Sequence, residues 1–218
     1  MKKLVIFDLD GTLLDTIGDL AAATNYALNE FNFPVHPEAA YRFFVGNGIN
    51  KLIERALPEA NRSTDEIAMV KHEFMKYYQE HGEEETRPYP GINELLAELT
   101  HKGYQLAVAS NKFHSGTVEL VNYFFPEIPF VSVLGQREGV PVKPSPRIVE
   151  ELCTAAGVST AETLYIGDSG VDAATAINAG VDFVGVLWGF RPQSELEAAG
   201  ATVFVEKADE IVTLVSAR

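Results

Sequence analysis

Short runs rich in Val, Ile, Leu and Phe recur along this sequence and constrain its fold more than any other feature. Within each run the apolar residues are nearly continuous, which is typical of strands covered on both faces of a sheet. The runs span residues 3–9, 105–110, 130–135, 163–167, 182–188 and 202–205. Segments of helix length separate the later runs, at residues 90–103, 144–157 and about 171–180. This alternation predicts an α/β fold with a doubly wound, mostly parallel, Rossmann-like sheet.

The long stretch after the first run departs from that alternation. Residues 18–82 contain no strand-like run, and their apolar residues recur at helical spacing. The two stripes consist of Leu20, Thr24, Ala27, Leu28 and Phe31, and of Ile67, Val70, Phe74, Tyr77 and His81. We therefore expect a helical domain at residues 16–87, inserted into an α/β core formed by residues 1–15 and 88–218. The acidic segment 82–88 is interpreted as a solvated linker back to the sheet.

The composition excludes several other classes of protein. Hydrophobic residues make up 46% of the 218, enough for a substantial core, and the single cysteine, Cys153, excludes a disulfide scaffold. No apolar run approaches the ~18 residues of a membrane helix. Asp8 and Asp10 interrupt the N-terminal run before it could serve as a signal peptide. We therefore expect a cytoplasmic protein without membrane contacts, either a monomer or a weak homodimer. The net charge of −14 also argues against nucleic acid as a partner.

Polar residues with catalytic potential follow four of the predicted strands or segments. In an open parallel sheet, ligands bind beyond the carboxyl ends of the strands. We therefore expect the four clusters to meet in one crevice. The clusters are Asp8-Leu9-Asp10-Gly11-Thr12, Ser110-Asn111-Lys112, Lys143-Pro144 and Asp168-Ser169-Gly170-Val171-Asp172.

Four aspartates gathered at one edge of a sheet would repel one another unless cations were present. Carboxylate oxygens are hard ligands, so Mg²⁺ is the expected ion and would also accept a substrate phosphate. Lys143 supplies a second positive charge. Ser110 and the backbone amides near Gly11 and Asn111 can donate hydrogen bonds to phosphate oxygens. With no histidine base in these clusters, we expect an aspartate to attack phosphorus itself and form an aspartyl-phosphate. Lys112 is expected at the surface, as most lysines are.

Together the clusters resemble the four motifs of the haloacid dehalogenase-like hydrolase superfamily. The resemblance spans the chain, because the helical insertion stands where this superfamily carries an α-helical cap. Further segments resemble the phosphoglycolate phosphatase branch: Leu13-Leu14-Asp15-Thr16, Asp19-Leu20-Ala21-Ala22-Ala23, Val45-Gly46-Asn47-Gly48 and Arg55-Ala56-Leu57. The resemblance implies a Mg²⁺-dependent phosphatase for a small phosphorylated metabolite, with 2-phosphoglycolate favoured.

The resemblance also implies roles for the matching residues. Asp8 would be the nucleophile, while Asp10 would protonate the leaving alcohol and then activate water. The implied Mg²⁺ ligands are Asp8, Asp10 through its backbone carbonyl, Asp168, and Asp172 directly or through water. The implied phosphate-binding residues are Ser110, Asn111, Lys143, Gly11 and Thr12. Dehalogenases of the superfamily lack an acid at the position of Asp10, and phosphonatases use a lysine that residues 15–28 do not contain.

The uncatalysed hydrolysis of phosphate monoesters is very slow, and enzymes accelerate it mainly with fixed charges in a site from which water is excluded. A helical cap that closes over the crevice would exclude that water. We hypothesise that cap residues recognise the part of the substrate that is not phosphate. The candidates are Asn47, Lys51, Arg42 and Arg55. The segment Gly46-Asn47-Gly48 itself is most typical of a turn between two helices.

Other functions remain open at this point. A sugar-phosphate mutase of the β-phosphoglucomutase type, a pyrophosphatase or a nucleotidase would share the same motifs. A receiver-type signalling module also gathers acids, a lysine and Mg²⁺ at strand ends. The helical insertion and the Asp-x-Asp spacing argue against that last reading.

Overall fold

The computed structural model describes residues 1–216, and a six-stranded parallel sheet forms its centre. The strands are β1 (Leu4–Phe7), β2 (Leu14–Asp15), β3 (Arg87–Pro88), β4 (Gln105–Phe113), β5 (Phe130–Gln136), β6 (Thr163–Gly167), β7 (Asp182–Val186) and β8 (Phe204–Val205). The helices are α1 (Ile17–Glu30), α2 (Glu38–Phe44), α3 (Ile49–Ala56), α4 (Thr64–His81), α5 (Ile92–His101), α6 (His114–Phe124), α7 (Arg147–Ala156), α8 (Gly170–Ala179), α9 (Gln193–Ala198) and α10 (Ala208–Ser216). The sheet order is β5-β4-β1-β6-β7-β8, with every neighbouring pair parallel. The predicted fold class is confirmed, although residues 217 and 218 of the predicted core lie outside the described residues.

Strand β1 lies in the middle of the sheet. Its last residue, Phe7, is opposite Val108 of β4 and Ile166 of β6. Because the three strands are parallel, their carboxyl ends reach the same edge of the sheet. The topology therefore brings the polar clusters that follow β1, β4 and β6 to one place.

Both faces of β1 are covered, which explains its uninterrupted apolar sequence. Val5 and Phe7 belong to an apolar cluster that includes side chains of α5 and α10, whereas Leu4 and Ile6 pack with side chains of α7. All four side chains are fully buried. Successive strand residues point to opposite faces, so a strand covered on both sides needs an apolar residue at every position.

Helices α1–α4 form a separate body, the helical cap, with its own core. Tyr41, Ile53 and Phe74 are among its fully buried side chains. Strands β2 and β3 pair as a short antiparallel ribbon where the chain leaves the sheet for the cap and returns. The predicted domain boundaries at 15/16 and 87/88 lie at this ribbon and stay a prediction.

Helix α4 shows where the predicted helical stripe was wrong. Its buried side chains are Val70, Phe74 and Tyr78, spaced four residues apart, whereas Tyr77 and His81 are only half-buried. The ring of Tyr77 instead stacks on Tyr26 of α1, with ring centroids 4.4 Å apart. Residues 77 and 78 are both tyrosines, so the sequence does not show which of them is buried. The packing of α4 against the neighbouring helix decides it. Within residues 1–216, neither α4 nor any other helix has the length and apolar character to cross a membrane.

The segment that returns from the cap is fixed to α1. Asp19, itself buried, accepts hydrogen bonds from the backbone amides of Glu85 and Thr86 at 2.9 Å and from the Thr86 hydroxyl at 2.6 Å. The interpretation as a solvated linker holds for the exposed side chains of residues 83–85 but is wrong for Thr86, which is fully buried. The chain therefore re-enters the sheet at a defined position.

The sequence analysis assigned no element between β4 and β5, where the structure forms α6. The buried residues of α6 are Gly116, Thr117, Leu120 and Val121. Their spacing is helical, but two of the four are small or polar and weaken the apolar signal. Helix α6 begins directly after β4 and so lies next to the crevice.

Candidate active site

Three aspartates that are far apart along the chain meet at the crevice. Asp8 follows β1, Asp168 follows β6 and Asp172 lies in the first turn of α8. One carboxylate oxygen from each of the three lies within 4.8 Å of the others, and all three residues are buried. The structure therefore assembles three of the four aspartates that the sequence singled out.

Lys143 stands between two of these aspartates. Its Nζ lies 2.8 Å from Oδ1 of Asp8 and 2.7 Å from Oδ1 of Asp172. It also donates to the carbonyl of Ala109 at 2.9 Å and to the hydroxyl of Tyr165 at 3.0 Å. Burial alone would lower the pKa of Lys143, but the charges of Asp172 and Asp8 outweigh it and raise that pKa well above its ordinary value. Lys143 is therefore a charged and fully engaged side chain.

Burial and crowding raise the pKa values of two of the carboxyl groups. Burial raises the pKa of Asp8 well above its usual value, the charge of Asp172 adds to this, and Lys143 opposes it. Burial, with the charge of Asp172, raises the pKa of Asp168 to about 7, while the backbone amide of Phe190 opposes the shift. A divalent cation bound among these groups would favour their ionised forms.

Asp168 is held by the loops on either side of it. The backbone amide of Phe190 donates to its Oδ2 at 2.7 Å, and the Thr12 hydroxyl lies 3.4 Å from its Oδ1. Both loops approach closely because they carry glycine here, since a Cβ at Gly11 or Gly189 would collide with Asp168. Gly11 also has a φ of 89°, which favours glycine.

Asp172 is oriented by partners that the sequence analysis missed. Ser169 caps α8: its hydroxyl accepts from the Asp172 amide at 3.3 Å and donates to Asp172 Oδ2 at 2.6 Å. The Tyr165 hydroxyl lies 3.1 Å from Asp172 Oδ1. The Ser-x-x-Asp spacing is a capping-box signal and could have identified Ser169. Tyr165 carries no such signal, because it lies in the middle of an apolar strand.

Asp10 also lines the crevice and is half-buried. Its Oδ1 accepts a hydrogen bond of 2.7 Å from the Thr16 hydroxyl, which fixes the carboxylate against the start of α1. The same oxygen lies 3.4 Å from Nζ of Lys112. Thr16 was missed as a site residue, and the side chain of the neighbouring Asp15 accepts a hydrogen bond of 3.4 Å from the Ile17 amide.

The expectation of a surface position for Lys112 was wrong. Lys112 is 7% exposed, and its Nζ lies 4.5 Å from the ring centroid of Tyr78 in α4. Burial would lower the pKa of Lys112, but the negative charge of Asp10 and the neighbouring Tyr78 raise it to about 12. Lys112 is the last but one residue of β4, and Tyr78 of the cap covers its side chain there.

Ser110 and Asn111 organise the end of β4. The Ser110 hydroxyl, which is buried, accepts from the Lys112 amide at 3.1 Å. The side chain of Asn111 binds the backbone of Lys143 through both its oxygen, at 2.9 Å, and its nitrogen, at 3.1 Å. The same nitrogen donates to the carbonyl of Gly46 in the cap at 3.0 Å. Asn111 therefore connects the sheet, the Lys143 loop and the cap.

A cavity of about 500 Å³ of empty space, partly open to solvent, lies between the sheet edge and the cap. The side chains on its sheet side are polar except for Phe113, and the cap contributes an apolar wall. The sheet side consists of Asp8, Asp10, Ser110, Asn111, Lys112, Phe113 and Lys143, and the cap side of Leu20, Val45, Gly46, Gly48, Ile49, Leu52 and Phe74.

The four cap residues proposed to recognise substrate do not line this cavity. Arg42 and Lys51 are exposed, and Lys51 pairs with Glu54 at 2.6 Å. The Arg55 guanidinium donates to the Phe44 carbonyl at 2.9 Å and to Asn47 Oδ1 at 2.8 Å. Helix α3 turns its apolar residues toward the crevice, and this orientation points its charged residues away. The prediction of a turn between two helices is confirmed, since residues 45–48 connect α2 and α3.

Arg191 is a further residue that the sequence analysis passed over. Its Nη2 donates to the carbonyl of Val45 in the cap at 2.8 Å, and its Nε lies 3.5 Å from Glu195. It directly follows Phe190, whose amide holds Asp168. The same loop is held at Trp188, whose indole donates to the Thr12 carbonyl at 3.0 Å.

The residues of the crevice fit a hard divalent cation. Four aspartates face two lysines, so full ionisation would leave a net charge of −2 that one such ion cancels. The donor atoms are carboxylate oxygens, which Mg²⁺ prefers over nitrogen or sulfur. The acidic cluster can therefore bind a metal.

Comparison with known proteins identifies the family of this site. A family model described as haloacid dehalogenase-like hydrolase matches residues 5–186. This chain belongs to that family. A phosphoglycolate phosphatase of Haemophilus influenzae is 37% identical over 87% of both chains, and one of Mesorhizobium japonicum is 34% identical over 87% of this chain and 84% of that one. The crystal structure of a proposed phosphoglycolate phosphatase from Lactobacillus delbrueckii superposes with a TM-score of 0.92, at 34% identity over 99% of each chain.

For this haloacid dehalogenase-like hydrolase, the predicted superfamily and its phosphoglycolate phosphatase-like branch are confirmed. The prediction of a phosphatase rather than a signalling module is confirmed with them.

Proposed function

We propose that this hydrolase is a Mg²⁺-dependent phosphatase that acts on a small phosphorylated metabolite, with 2-phosphoglycolate as the favoured substrate. One observation carries the proposal: the Asp8 carboxylate is held by Lys143, grouped with Asp168 and Asp172, and open to a cavity that Asp10 also lines. The curated relatives support the choice of substrate, since both that are described above are phosphoglycolate phosphatases.

In the proposed reaction a carboxylate oxygen of Asp8 attacks phosphorus. The bond between phosphorus and the ester oxygen breaks, and an aspartyl-phosphate forms on Asp8. Asp10 donates its proton to the leaving alcohol and later accepts a proton from the attacking water. That water releases inorganic phosphate and restores the free carboxylate of Asp8.

The surrounding residues bind and orient the phosphoryl group. When bound to Asp8, Asp168 and Asp172, Mg²⁺ would neutralise the charge that the phosphate and the nucleophile share. On the sheet side Lys143 supplies a positive charge and Ser110 a hydroxyl donor, and the backbone amides near Gly11, Thr12 and Asn111 supply further donors. Thr16 holds the Asp10 carboxylate in one orientation.

The cap excludes water from this reaction. Enzymes accelerate phosphate-monoester hydrolysis by up to ~10²¹-fold, of which general acid–base catalysis supplies only ~10²–10⁴. The remainder depends on fixed charges in a low-dielectric site. The apolar cap wall formed by residues such as Leu20, Ile49 and Phe74 provides that environment.

Release of inorganic phosphate from a panel of small phosphorylated metabolites, with Mg²⁺ and with a chelator, tests the proposal. We expect 2-phosphoglycolate to give the highest kcat/KM, activity to require Mg²⁺, and Asp8→Asn to lower kcat by at least about 10³-fold. Steady-state phosphate release that persists in Asp8→Asn would refute the assigned nucleophile. Conversion of a sugar phosphate to its isomer without phosphate release would identify the chain as a mutase instead.

A further inference from the structure

Lys112 is a buried cation in the cavity to which the proposed reaction assigns no task. Lys143, the other cavity lysine, is engaged by two carboxylates, a carbonyl and a hydroxyl. Within residues 1–216, Lys112 Nζ lies 3.4 Å from Oδ1 of Asp10 and also interacts with the phenol group of Tyr78. The ring of Tyr78 covers another side of the ammonium group. A protonated lysine has three donors, so Lys112 retains capacity for a ligand in the cavity.

Among the described residues, those that line the opposite wall of the cavity carry no charged or polar side chain. This wall presents Leu20, Val45, Ile49, Leu52 and Phe74, together with the backbone of two glycines. Hydroxyl groups of a sugar would be buried against these side chains without hydrogen-bond partners, which is unfavourable. A short leaving group with a single charged end would need only one polar partner.

The position of Lys112 determines which end of a substrate it would meet. Its Nζ contacts Asp10, the residue proposed to protonate the leaving oxygen, and not Asp8, which would attack phosphorus. An anion bound by Lys112 would therefore lie on the leaving group, close to the ester oxygen. In 2-phosphoglycolate a single methylene separates that oxygen from a carboxylate.

Building on the proposed function, we infer that Lys112 binds a second anionic group, a carboxylate, on the leaving group of the substrate. The site is thereby specific for small acidic phosphate monoesters rather than for sugar phosphates. Recognition comes from the end of β4 in the sheet, and the cap contributes an apolar cover.

Two substrates that differ only in the second anion test this inference. Ethyl phosphate has the same ester oxygen and methylene group as 2-phosphoglycolate but carries a methyl group in place of the carboxylate. The measured quantity is the ratio of kcat/KM for 2-phosphoglycolate to kcat/KM for ethyl phosphate, in the Mg²⁺-loaded wild type and in Lys112→Met. Because both substrates use Asp10, any effect of the substitution on Asp10 cancels in the ratio. We expect the ratio to fall by about 10- to 100-fold, the usual worth of a hydrogen bond to a charged group.

Lys51→Met is the matched control, because Lys51 is an exposed cap lysine that was itself a candidate for recognition. We expect it to leave the ratio within about twofold of the wild type. Lys112→Gln serves as a second variant if Lys112→Met is poorly folded, and should also lower the ratio. An unchanged ratio in folded Lys112 variants, or a reduced ratio in Lys51→Met, would overturn the inference.

The same measurements separate this inference from the proposed function. If the wild type releases phosphate from both substrates without preference, the phosphatase stands and the role of Lys112 is refuted. If the wild type releases phosphate from neither substrate, the proposed function itself has failed.

Discussion

Lys143 is the residue on which the charge balance of the crevice depends. It bridges Asp8 and Asp172 at 2.8 and 2.7 Å and is 2% exposed. Removing one member of a buried ion pair leaves the other charges uncompensated, which typically costs about 3–5 kcal/mol. We expect Lys143→Met to lower the free energy of unfolding by about that amount without metal, and to lower kcat by at least about 10³-fold with Mg²⁺. Urea unfolding and phosphate release measure the two effects.

Lys2→Met is the control for that prediction. Lys2 is another buried lysine: it pairs with Asp182 at 2.8 Å and donates to the carbonyls of Ala161 and Thr163, away from the crevice. It should lower stability by about 1–3 kcal/mol and leave kcat nearly unchanged. Equal losses of activity in Lys2→Met and Lys143→Met would mean that general destabilisation, and not the site, explains the effect.

At the scale of elements, the loop between α2 and α3 is held by the sheet at two points. Asn111 donates to Gly46 at 3.0 Å and Arg191 donates to Val45 at 2.8 Å. The loop after β7 thus contacts Asp168 through Phe190 and the cap through Arg191. This arrangement connects the position of the cap wall to the Asp168 carboxylate.

We expect Arg191→Met to loosen the cap loop and raise KM for the substrate by about 3- to 10-fold, the worth of one hydrogen bond. The chemical step uses none of the lost contacts, so kcat should change by less than about twofold. Steady-state kinetics measure KM and kcat separately and so test this expectation. Arg147→Met is the comparison, because Arg147 pairs with Glu151 on the exposed surface of α7. A loss confined to kcat would argue against a role in cap position.

At the scale of the whole molecule, stability should depend on pH and Mg²⁺ together. The pKa of Asp168 is about 7 in the folded state, against an ordinary value of 3.8. Between about pH 4 and pH 7 the folded state therefore keeps a proton that the unfolded state has lost, and this group lowers the free energy of unfolding as pH rises. Mg²⁺ competes with that proton, so it should stabilise the fold more at high pH.

Thermal unfolding with and without Mg²⁺, at about pH 5 and about pH 8, tests the linkage. We expect Mg²⁺ to raise Tm by several degrees at about pH 8 and by much less at about pH 5. In Asp168→Asn the rise in Tm caused by Mg²⁺ should be small and similar at the two pH values. An increment in the wild type that is equal at both pH values, or larger at about pH 5, would contradict the prediction.

How far the sequence predicts this protein depends on the range of the interactions involved. The predicted strand runs match β1 and β4–β8 within a few residues, and the match has its clearest cause in β1 and β6, where burial on both faces demands continuous apolar sequence. Ser169 was missed although its capping signal is local. Lys112 was misplaced because its burial depends on Tyr78 and the cap, which lie more than thirty residues away.

The sequence by itself determined the α/β class, the helical insertion and the placement of acids and lysines at strand ends, since these follow from patterns of neighbouring residues. Only the tertiary structure decided which charged side chains face the cavity. Lys51 and Arg55 are turned away by the packing of α3, whereas Lys112, near the end of β4, lines the cavity under the cap. The physical reason is that side chains project from several sides of a helix or of a strand end. The neighbouring element that packs against one side determines which side chains remain exposed to a ligand.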